Sequence, residues 1–220
     1  MFKKILIAED QEVANLGIIA TLKNLHIQDF DFVSYCDEAL QRLKMAAKEN
    51  KPYDLLIADL SFKKDHIPQR LNTGQELISE SKKVQPDIKV IVFSVEKKAK
   101  IIDDLYKIYN INGFVSKTRN DSKELRNTMR KVFDGETVIP QEILNAIRNL
   151  PGDLSEYEIK LLELLAKGYK QNEIRTILKE NHMQPYSIRS IEKKLNELRE
   201  IFDAKNNIEM IVICKDIGLI

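Results

Sequence analysis

Five apolar runs of strand length alternate with helix-length amphipathic segments through about the first 120 residues. Several runs are apolar throughout, which is typical of parallel strands that helices cover on both faces. The predicted strands are KILIA (4–8), FDFVSY (30–35), DLLIA (54–58), KVIVFS (89–94) and GFVSK (113–117). The predicted helices cover residues 12–25, 37–49, 74–84, 97–109 and 122–133. This alternation predicts right-handed βαβ units and a doubly wound α/β domain with a five-stranded parallel sheet.

The pattern changes after residue 134. One short helical segment, 141–150, lies between Pro140 and the pair Pro151-Gly152, and no strand is predicted beyond it. Four further helical patterns cover residues 155–167, 171–179, 185–202 and 206–217. We therefore predict an α/β domain over 1–134, a linker with a short helix over 135–152, and a small all-α domain over 153–220.

Composition excludes several classes of protein. A chain of 220 residues is long enough for two ordinary domains. The formal net charge of +1 gives no global field that would attract a nucleic acid or a membrane. The N-terminal sequence MFKKILIAED has too short an apolar run for a signal peptide or a membrane span. We expect a cytoplasmic protein without a membrane partner.

Polar side chains follow four of the predicted strands. The pair Glu9-Asp10 ends the first strand, Asp59 the third, Ser94 the fourth and Lys117 the fifth. Ligands of open parallel sheets bind at the carboxyl ends of the strands, so these side chains are expected to meet. Three converging carboxylates require a cation, and oxygen ligands with room for water suit Mg²⁺.

A metal ion, an ammonium group and a hydroxyl around one carboxylate form a site for phosphoryl transfer. Lys117 supplies the compact positive charge, and Ser94 supplies the hydroxyl donor. The carboxylate of Asp59 is the predicted nucleophile, and its product is an aspartyl phosphate.

This motif resembles the receiver domain of two-component response regulators, whose fold is flavodoxin-like. Phe114, three residues before Lys117, matches the aromatic switch position of that family. The resemblance implies that Asp10, Asp59 and the backbone carbonyl of Ser61 hold Mg²⁺. It also implies that Glu9 acts directly or through water, and that the serine and lysine of the motif hold the phosphate. It further implies that a sensor histidine kinase or phosphotransfer protein is the phosphoryl donor, and that phosphorylation draws in the serine and turns the aromatic ring inward.

The loop after Asp59 is longer than the family pattern. Gly74 lies fifteen positions beyond Asp59 (74 − 59), and the segment FKKDHIPQRLN (62–72), here called the insertion loop, carries the additional residues. One reading is a tolerated surface loop, because an insertion of about seven residues costs little free energy. The other reading is a lid or partner contact beside the phosphorylation site, with Lys63, Lys64 and Arg70 near an anion.

The third helical pattern of the C-terminal part has an apolar side and a polar side. The apolar side consists of Ile188, Ile191, Leu195, Leu198 and Phe202. The polar side consists of Tyr186, Arg189, Ser190, Lys193 and Asn196. A helix with a buried seam and an outward polar face is suited to the DNA major groove.

The same region resembles the LuxR-type (NarL/FixJ) helix-turn-helix in LSEYEIKLLELLAKGYKQNEI (154–174) and SIRSIEKKL (187–195). The first stretch also carries a predicted capping box, Ser155 with Glu158. The predicted DNA contacts are Tyr186, Ser187, Arg189, Ser190, Lys193, Lys194 and Asn196, with Lys170, Gln171 and Asn172 near phosphates. The resemblance implies a transcription regulator that is not an enzyme and binds double-stranded DNA as a homodimer after phosphorylation.

Two other functions stay open at this point. From Asn149 onward the chain has eleven Lys or Arg and twelve Asp or Glu, which leaves room for an adaptor whose helical domain binds protein. A Mg²⁺-dependent phosphohydrolase would also use Asp59 as nucleophile. Ser61, however, stands where such enzymes have a second catalytic acid.

Overall fold

The computed structural model describes residues 1–63, 66–118, 120–148 and 154–220, with the side chains of 146–148 left out. The chain divides into two compact units: residues 1–97 with 102–144, and residues 98–101 with 145–220. The predicted boundary between linker and helical domain, 152 to 153, lies outside the described residues. In the described ranges, no helix combines the length and the apolar character needed to cross a bilayer.

The first unit is built on a parallel sheet of five strands in the order β2-β1-β3-β4-β5. The strands are β1 (Lys4–Ala8), β2 (Asp29–Val33), β3 (Leu55–Ala58), β4 (Lys89–Ser94) and β5 (Gly113–Ser116). After β1 the chain builds first to one side with β2 and then to the other with β3. The topological switch point therefore lies between β1 and β3. The predicted doubly wound parallel sheet is confirmed.

Helices cover both faces of this sheet. They are α1 (Glu12–Asn24), α2 (Cys36–Lys48), α3 (Gly74–Val84), α4 (Ala99–Lys107) and α5 (Asp121–Phe133), and α6 (Gln141–Arg148) follows them along the chain. Ile5, Leu6 and Ile7 of β1 are all fully buried, although successive strand residues point to opposite faces. On one face, Leu22 of α1 and Met129 of α5 pack in the same core cluster as the β1 isoleucines. Each such side chain contributes about 1.5–3 kcal/mol by leaving water.

Several predicted boundaries differ from the structure by one to three residues: the helix predicted over 97–109 covers Ala99–Lys107, and the one predicted over 185–202 covers Ile188–Ile201. The second strand, predicted over 30–35, covers Asp29–Val33, because Tyr35 is already the N-cap of α2, which begins at Cys36. The short helix predicted over 141–150 is described as far as Arg148, and its last two predicted positions lie outside the described residues.

A short segment after α5 pairs with the outer edge of β5. The N–H of Val138 donates to the carbonyl of Asn112 at 2.8 Å, and the N–H of Phe114 donates to the carbonyl of Val138 at 3.3 Å. The hydroxyl of Tyr106 donates to the same Val138 carbonyl at 2.5 Å, and burial raises the pKa of this tyrosine. An isolated parallel bridge joins Gly113 and Val138. The segment thus partners an edge strand that would otherwise expose its hydrogen-bonding groups.

The second unit contains four complete helices in its described part. They are α7 (Glu156–Ala166), α8 (Gln171–Glu180), α9 (Ile188–Ile201) and α10 (Asn207–Asp216). Their core contains Leu161, Leu162, Ile174, Leu178, Ile191, Leu195, Leu198, Met210 and Cys214. The predicted capping box at the start of α7 is confirmed, with Ser155 Oγ accepting from the N–H of Glu158 at 3.3 Å. Gly168, with φ of +84°, follows α7 in a conformation that favours glycine.

Gly74 allows the start of α3 to approach the end of β3. Its N–H donates to the carbonyl of Leu60 at 2.9 Å. A Cβ atom at this position would lie 1.9 Å from the backbone oxygen of Asp59. That oxygen belongs to the main chain, so no rotamer change can relieve the clash.

We predict that Gly74→Ala lowers the free energy of unfolding by about 3 kcal/mol, the upper range for overpacking in a closely packed site. The matched control is Gly17→Ala, inside α1, where the nearest atom to the new Cβ would be Ser122 Oγ at 3.8 Å. The control should raise stability by about 0.5–1 kcal/mol, because alanine restricts the unfolded chain. Urea denaturation measures both changes. Equal stability of the two variants would contradict the close approach.

Candidate functional site

Backbone hydrogen bonds continue between neighbouring chains of the sheet just beyond the ends of the strands. They fix the positions of the residues that carry the candidate side chains. The N–H of Asp59 donates to the carbonyl of Ala8 at 3.0 Å, so Asp59 lies beside Glu9, the next residue along β1's path. The N–H of Lys117 donates to the carbonyl of Ser94 at 2.9 Å. The four strand ends named by the sequence therefore meet at one edge of the sheet.

A buried lysine joins two buried carboxylates at this edge. Lys117 Nζ lies 2.7 Å from Glu9 Oε2 and 2.7 Å from Asp59 Oδ2. The lysine side chain is 9% exposed and the two acids are 1% exposed. The ammonium also lies over the ring of Phe93, 5.6 Å from its centroid. Removing one partner of such an arrangement leaves an uncompensated buried charge, which is strongly unfavourable.

Glu9 has a raised pKa. Burial is the main cause, because it disfavours the charged carboxylate, and the charge of Asp59 acts in the same direction. The hydrogen bond and positive charge of Lys117 oppose this change, as does the N–H of Gln11, which donates to Glu9 Oε1 at 3.0 Å. The charge state of Glu9 therefore depends on the lysine.

The acidic residues are close enough to bind one metal ion. Oxygen atoms from Glu9, Asp10 and Asp59 all lie within 4.8 Å of one another. Asp10 Oδ1 is buried and has no hydrogen-bond partner among the residues that the structure describes. Such a cluster of hard oxygen donors fits Mg²⁺. Ser61, the predicted carbonyl ligand, lies two residues after Asp59 and forms an antiparallel bridge with Thr73.

The two predicted switch residues are both inside the first unit. Ser94, the last residue of β4, is fully buried, and its hydroxyl oxygen has no hydrogen-bond partner within the described ranges. Phe114 of β5 is 1% exposed. We expected phosphorylation to turn this ring inward, but in this structure the ring already has the buried position.

Two residues beside the acid pair did not follow from the sequence. Asn15 is buried and donates from Nδ2 to the carbonyl of Glu9 at 3.1 Å, which fixes the turn that carries the acids. The feature of the sequence that could have indicated Asn15 is a polar residue on the side of α1 that is buried. The backbone N–H of Lys63 donates to Asp10 Oδ2 at 2.7 Å, and nothing in the sequence pattern indicated this contact.

The candidate nucleic-acid interface lies at the start of α9. Ser187 is the N-cap, and its Oγ accepts from the N–H of Ser190 at 3.1 Å. The exposed predicted contacts are Arg189, Lys193 and Asn196 on α9, with Lys170 and Asn172 at the start of α8, while Gln171 is half-buried. The polar side predicted for this helix is thus exposed at Arg189, Lys193 and Asn196.

Several of the predicted DNA contacts have partners within the helical unit: Lys193 Nζ lies 3.8 Å from Glu197 Oε1, and Asn196 accepts a hydrogen bond from Arg199. Lys194 Nζ lies 3.2 Å from Glu158 Oε1 and 2.8 Å from Glu197 Oε2. Hydrogen bonds with Glu197 and Glu158 raise the pKa of this lysine. Tyr186 is half-buried and packs against the core of the helical unit. The Lys194 ammonium is therefore already paired within the unit.

One relative has a similar sequence over both units. The chain is 30% identical over 182 residues to response regulator protein VraR of Staphylococcus epidermidis. The aligned part covers 78% of this chain and 79% of VraR. No family model matches the chain.

Solved structures of another regulator have the same fold. The RcsB response regulator of Salmonella typhimurium superposes with a TM-score of 0.72 at 21% identity, covering 97% of this chain and 99% of RcsB. A second RcsB structure, from Salmonella enterica serovar Typhimurium, is bound to the promoter rprA in the presence of the phosphomimetic BeF₃⁻. It gives a TM-score of 0.66 at 20% identity and covers 98% of this chain and all of that one (100%). At this identity, the likeness shows a shared fold.

We predict that Lys117→Met lowers the free energy of unfolding by about 3–5 kcal/mol near pH 7 without added metal, because two carboxylates stay buried without their cation. The pKa of Glu9 should rise further once the opposing lysine is removed. In the variant the folded state then binds protons more readily than the unfolded state. The difference in the free energy of unfolding between the variant and the wild type should therefore become smaller as the pH falls. Guanidinium unfolding near pH 7 and near pH 5 measures this difference.

The control is Lys83→Met, which breaks an exposed ion pair with Glu80 of 2.6 Å. Such exposed pairs contribute little to stability, so this variant should unfold almost as the wild type does. A Lys117→Met variant as stable as this control at neutral pH, or one that loses more stability as the pH falls, would contradict the role given to Lys117.

Proposed function

The chain belongs to the two-component response regulators of the NarL/FixJ family, with a LuxR-type helix-turn-helix, and from that premise we propose what its site does. A sensor histidine kinase or phosphotransfer protein phosphorylates Asp59 in the cytoplasm. The aspartyl phosphate controls dimerisation and sequence-specific binding to double-stranded DNA, and thereby transcription. The observation that carries this proposal is the buried carboxylate of Asp59, held by Lys117 within the acidic cluster.

The residues of the pocket have distinct parts in the transfer. A carboxylate oxygen of Asp59 attacks phosphorus, the new P–O bond forms as the bond to the donor breaks, and the donor leaves with the electron pair. Lys117 neutralises negative charge on the phosphoryl oxygens. Ser94 donates a hydrogen bond to the phosphoryl group from its hydroxyl, which has no hydrogen-bond partner among the described residues. Glu9, Asp10, Asp59 and the Ser61 carbonyl would hold Mg²⁺, which supplies further positive charge when bound.

The proposed output begins with the two buried switch residues. Attraction of Ser94 to the phosphate changes the space beside Phe114, so the buried ring repacks rather than entering from solvent. The N–H of Phe114 donates a hydrogen bond to the carbonyl of Val138, which also accepts a hydrogen bond from the hydroxyl of Tyr106. Repacking at the ring therefore acts on the segment that continues toward α6. The division into a receiver domain (1–134), a linker (135–152) and a helix-turn-helix domain (153–220) is part of this proposal.

DNA binding is proposed for the first turns of α9 together with the start of α8. Arg189 and Lys193 are exposed there, and the N-terminus of α8 offers backbone N–H groups to a phosphate. Because the helical region has no net positive charge, non-specific attraction to DNA is weak. A dimer that binds two half-sites compensates for this weakness. The RcsB structure bound to a promoter supports the proposal by its fold.

We predict that Asp59→Asn abolishes incorporation of a phosphoryl group from acetyl phosphate with Mg²⁺, because an amide oxygen is a poor nucleophile. Intact-protein mass spectrometry measures the incorporation. The matched control is Asp87→Asn, an exposed carboxylate just before β4, which should be phosphorylated like the wild type. A phosphorylated Asp59→Asn protein would refute the assignment of the acceptor.

We predict that Arg189→Ala with Lys193→Ala lowers specific DNA affinity at least about tenfold, since a good side-chain contact to a base contributes about 1–3 kcal/mol. The probe is a duplex selected from a random library by the wild-type protein loaded with beryllofluoride. Fluorescence anisotropy at one fixed salt concentration measures the affinity.

The control removes two exposed lysines from other helices, Lys179→Ala with Lys215→Ala, and should bind almost as the wild type does. Equal affinities of the two double variants would count against the recognition face. Failure to select any duplex would instead favour an adaptor that binds protein through its helical domain.

A further inference from the structure

The insertion loop is held at both of its ends. At its base, Ser61 and Thr73 form an antiparallel bridge. Near its far end, the backbone N–H groups of Arg70 and Leu71 donate to the two carboxylate oxygens of Asp37, at 2.6 and 3.1 Å. Asp37 lies in the first turn of α2. The described parts of the loop are therefore tied to the first unit through the backbone, and these bonds do not depend on which side chains the loop carries.

A third backbone contact ties the loop to the acidic cluster. The N–H of Lys63 donates to Asp10 Oδ2 at 2.7 Å. The other oxygen of the same carboxylate, Oδ1, is buried and has no hydrogen-bond partner in the described part of the chain. The two oxygens of Asp10 thus have different surroundings: the loop holds one, and the other is left for a ligand.

Metal-binding carboxylates are commonly held by an outer hydrogen bond that fixes their orientation. A backbone N–H serves this purpose well, because it fixes the carboxylate without bringing a full positive charge close to the cation. The Lys63 side chain, by contrast, is exposed and is not part of this contact. The charge of Lys63 and its N–H can therefore be tested separately.

We propose that the insertion loop contributes a positioning group to the magnesium site, the backbone N–H of Lys63, which holds Asp10 so that Oδ1 is available to the metal. This inference rests on the proposed function, in which the acidic cluster binds Mg²⁺. It gives the insertion loop a role in the site that differs from the lid reading, because it relies on a backbone N–H and not on the side-chain cations of the loop.

The test compares Lys63→Pro, which lacks the N–H, with Lys63→Ala, which keeps the N–H and loses the side chain. Mg²⁺ binding to the full chain without a phosphodonor is measured by isothermal titration calorimetry. We expect Lys63→Pro to raise the dissociation constant about tenfold, the lower range for loss of an outer hydrogen bond to a metal ligand. Lys63→Ala should keep the wild-type dissociation constant. Without metal, both variants should unfold at the same denaturant midpoint as the wild type.

A second variant keeps the test valid if proline disturbs the loop. Deletion of residues 63–69 removes the donor without introducing proline, and it should weaken Mg²⁺ binding by a similar factor. Unchanged or tighter Mg²⁺ binding by both Lys63→Pro and the deletion would overturn the proposal, and tighter binding would mean that the N–H competes with the metal. Equal weakening in Lys63→Ala and Lys63→Pro would also overturn it, because the side chain would then be responsible.

Asp10→Asn separates this inference from the proposed metal site. If the wild type binds Mg²⁺ and Asp10→Asn does not, the site is supported and the proline and deletion variants decide the role of the loop. If the wild type and Asp10→Asn bind Mg²⁺ equally, the metal site itself is wrong and the inference is overturned with it.

Discussion

The ammonium group of Lys117 between the carboxylates of Glu9 and Asp59 is the interaction on which the rest of this structure depends. Two carboxylates buried at neighbouring strand ends repel each other and lose hydration, so the fold requires a cation between them. The parallel sheet supplies it, because β1, β3 and β5 all end at the same edge. In the proposed function, a phosphoryl group and Mg²⁺ use the same charges that the fold must neutralise. The stability of the fold and the proposed function therefore depend on the same ammonium and carboxylate groups.

The parts of this structure that the sequence predicted are those with a repeating physical signal. Buried parallel strands need apolar residues on both faces, so runs such as KILIA identified the sheet. The site followed from the same pattern, because Glu9, Asp59 and Lys117 stand where those runs stop. The second strand was predicted two residues too far along the chain because the apolar residues Val33 and Tyr35 extend its pattern, although the backbone at Tyr35 already enters α2. The pattern of polar and apolar residues along one segment does not indicate where that strand stops pairing with the adjacent strand.

The contacts that the sequence did not predict are made by the backbone or join distant residues. The N–H of Lys63 is a backbone group that every residue except proline has, and the carbonyl of Val138 is one that all residues have, so no particular residue type marks these contacts. The ion pair of Lys194 with Glu158 joins two helices thirty-six positions apart, and only the folded helical unit brings them together. Gly74 was noticed for its distance from Asp59, but its close approach to that residue's backbone required coordinates.

The central claim is that the pocket around Asp59 controls assembly and DNA binding. The most direct measurement is the mass of the protein, by light scattering, together with its affinity for a selected duplex, with and without beryllofluoride plus Mg²⁺. The account predicts a change from monomer toward dimer and a rise in affinity of about 5–150-fold, the usual range for coupling between two sites. If beryllofluoride occupies the Asp59 site while mass and affinity both stay unchanged, the coupling between pocket and helices does not exist.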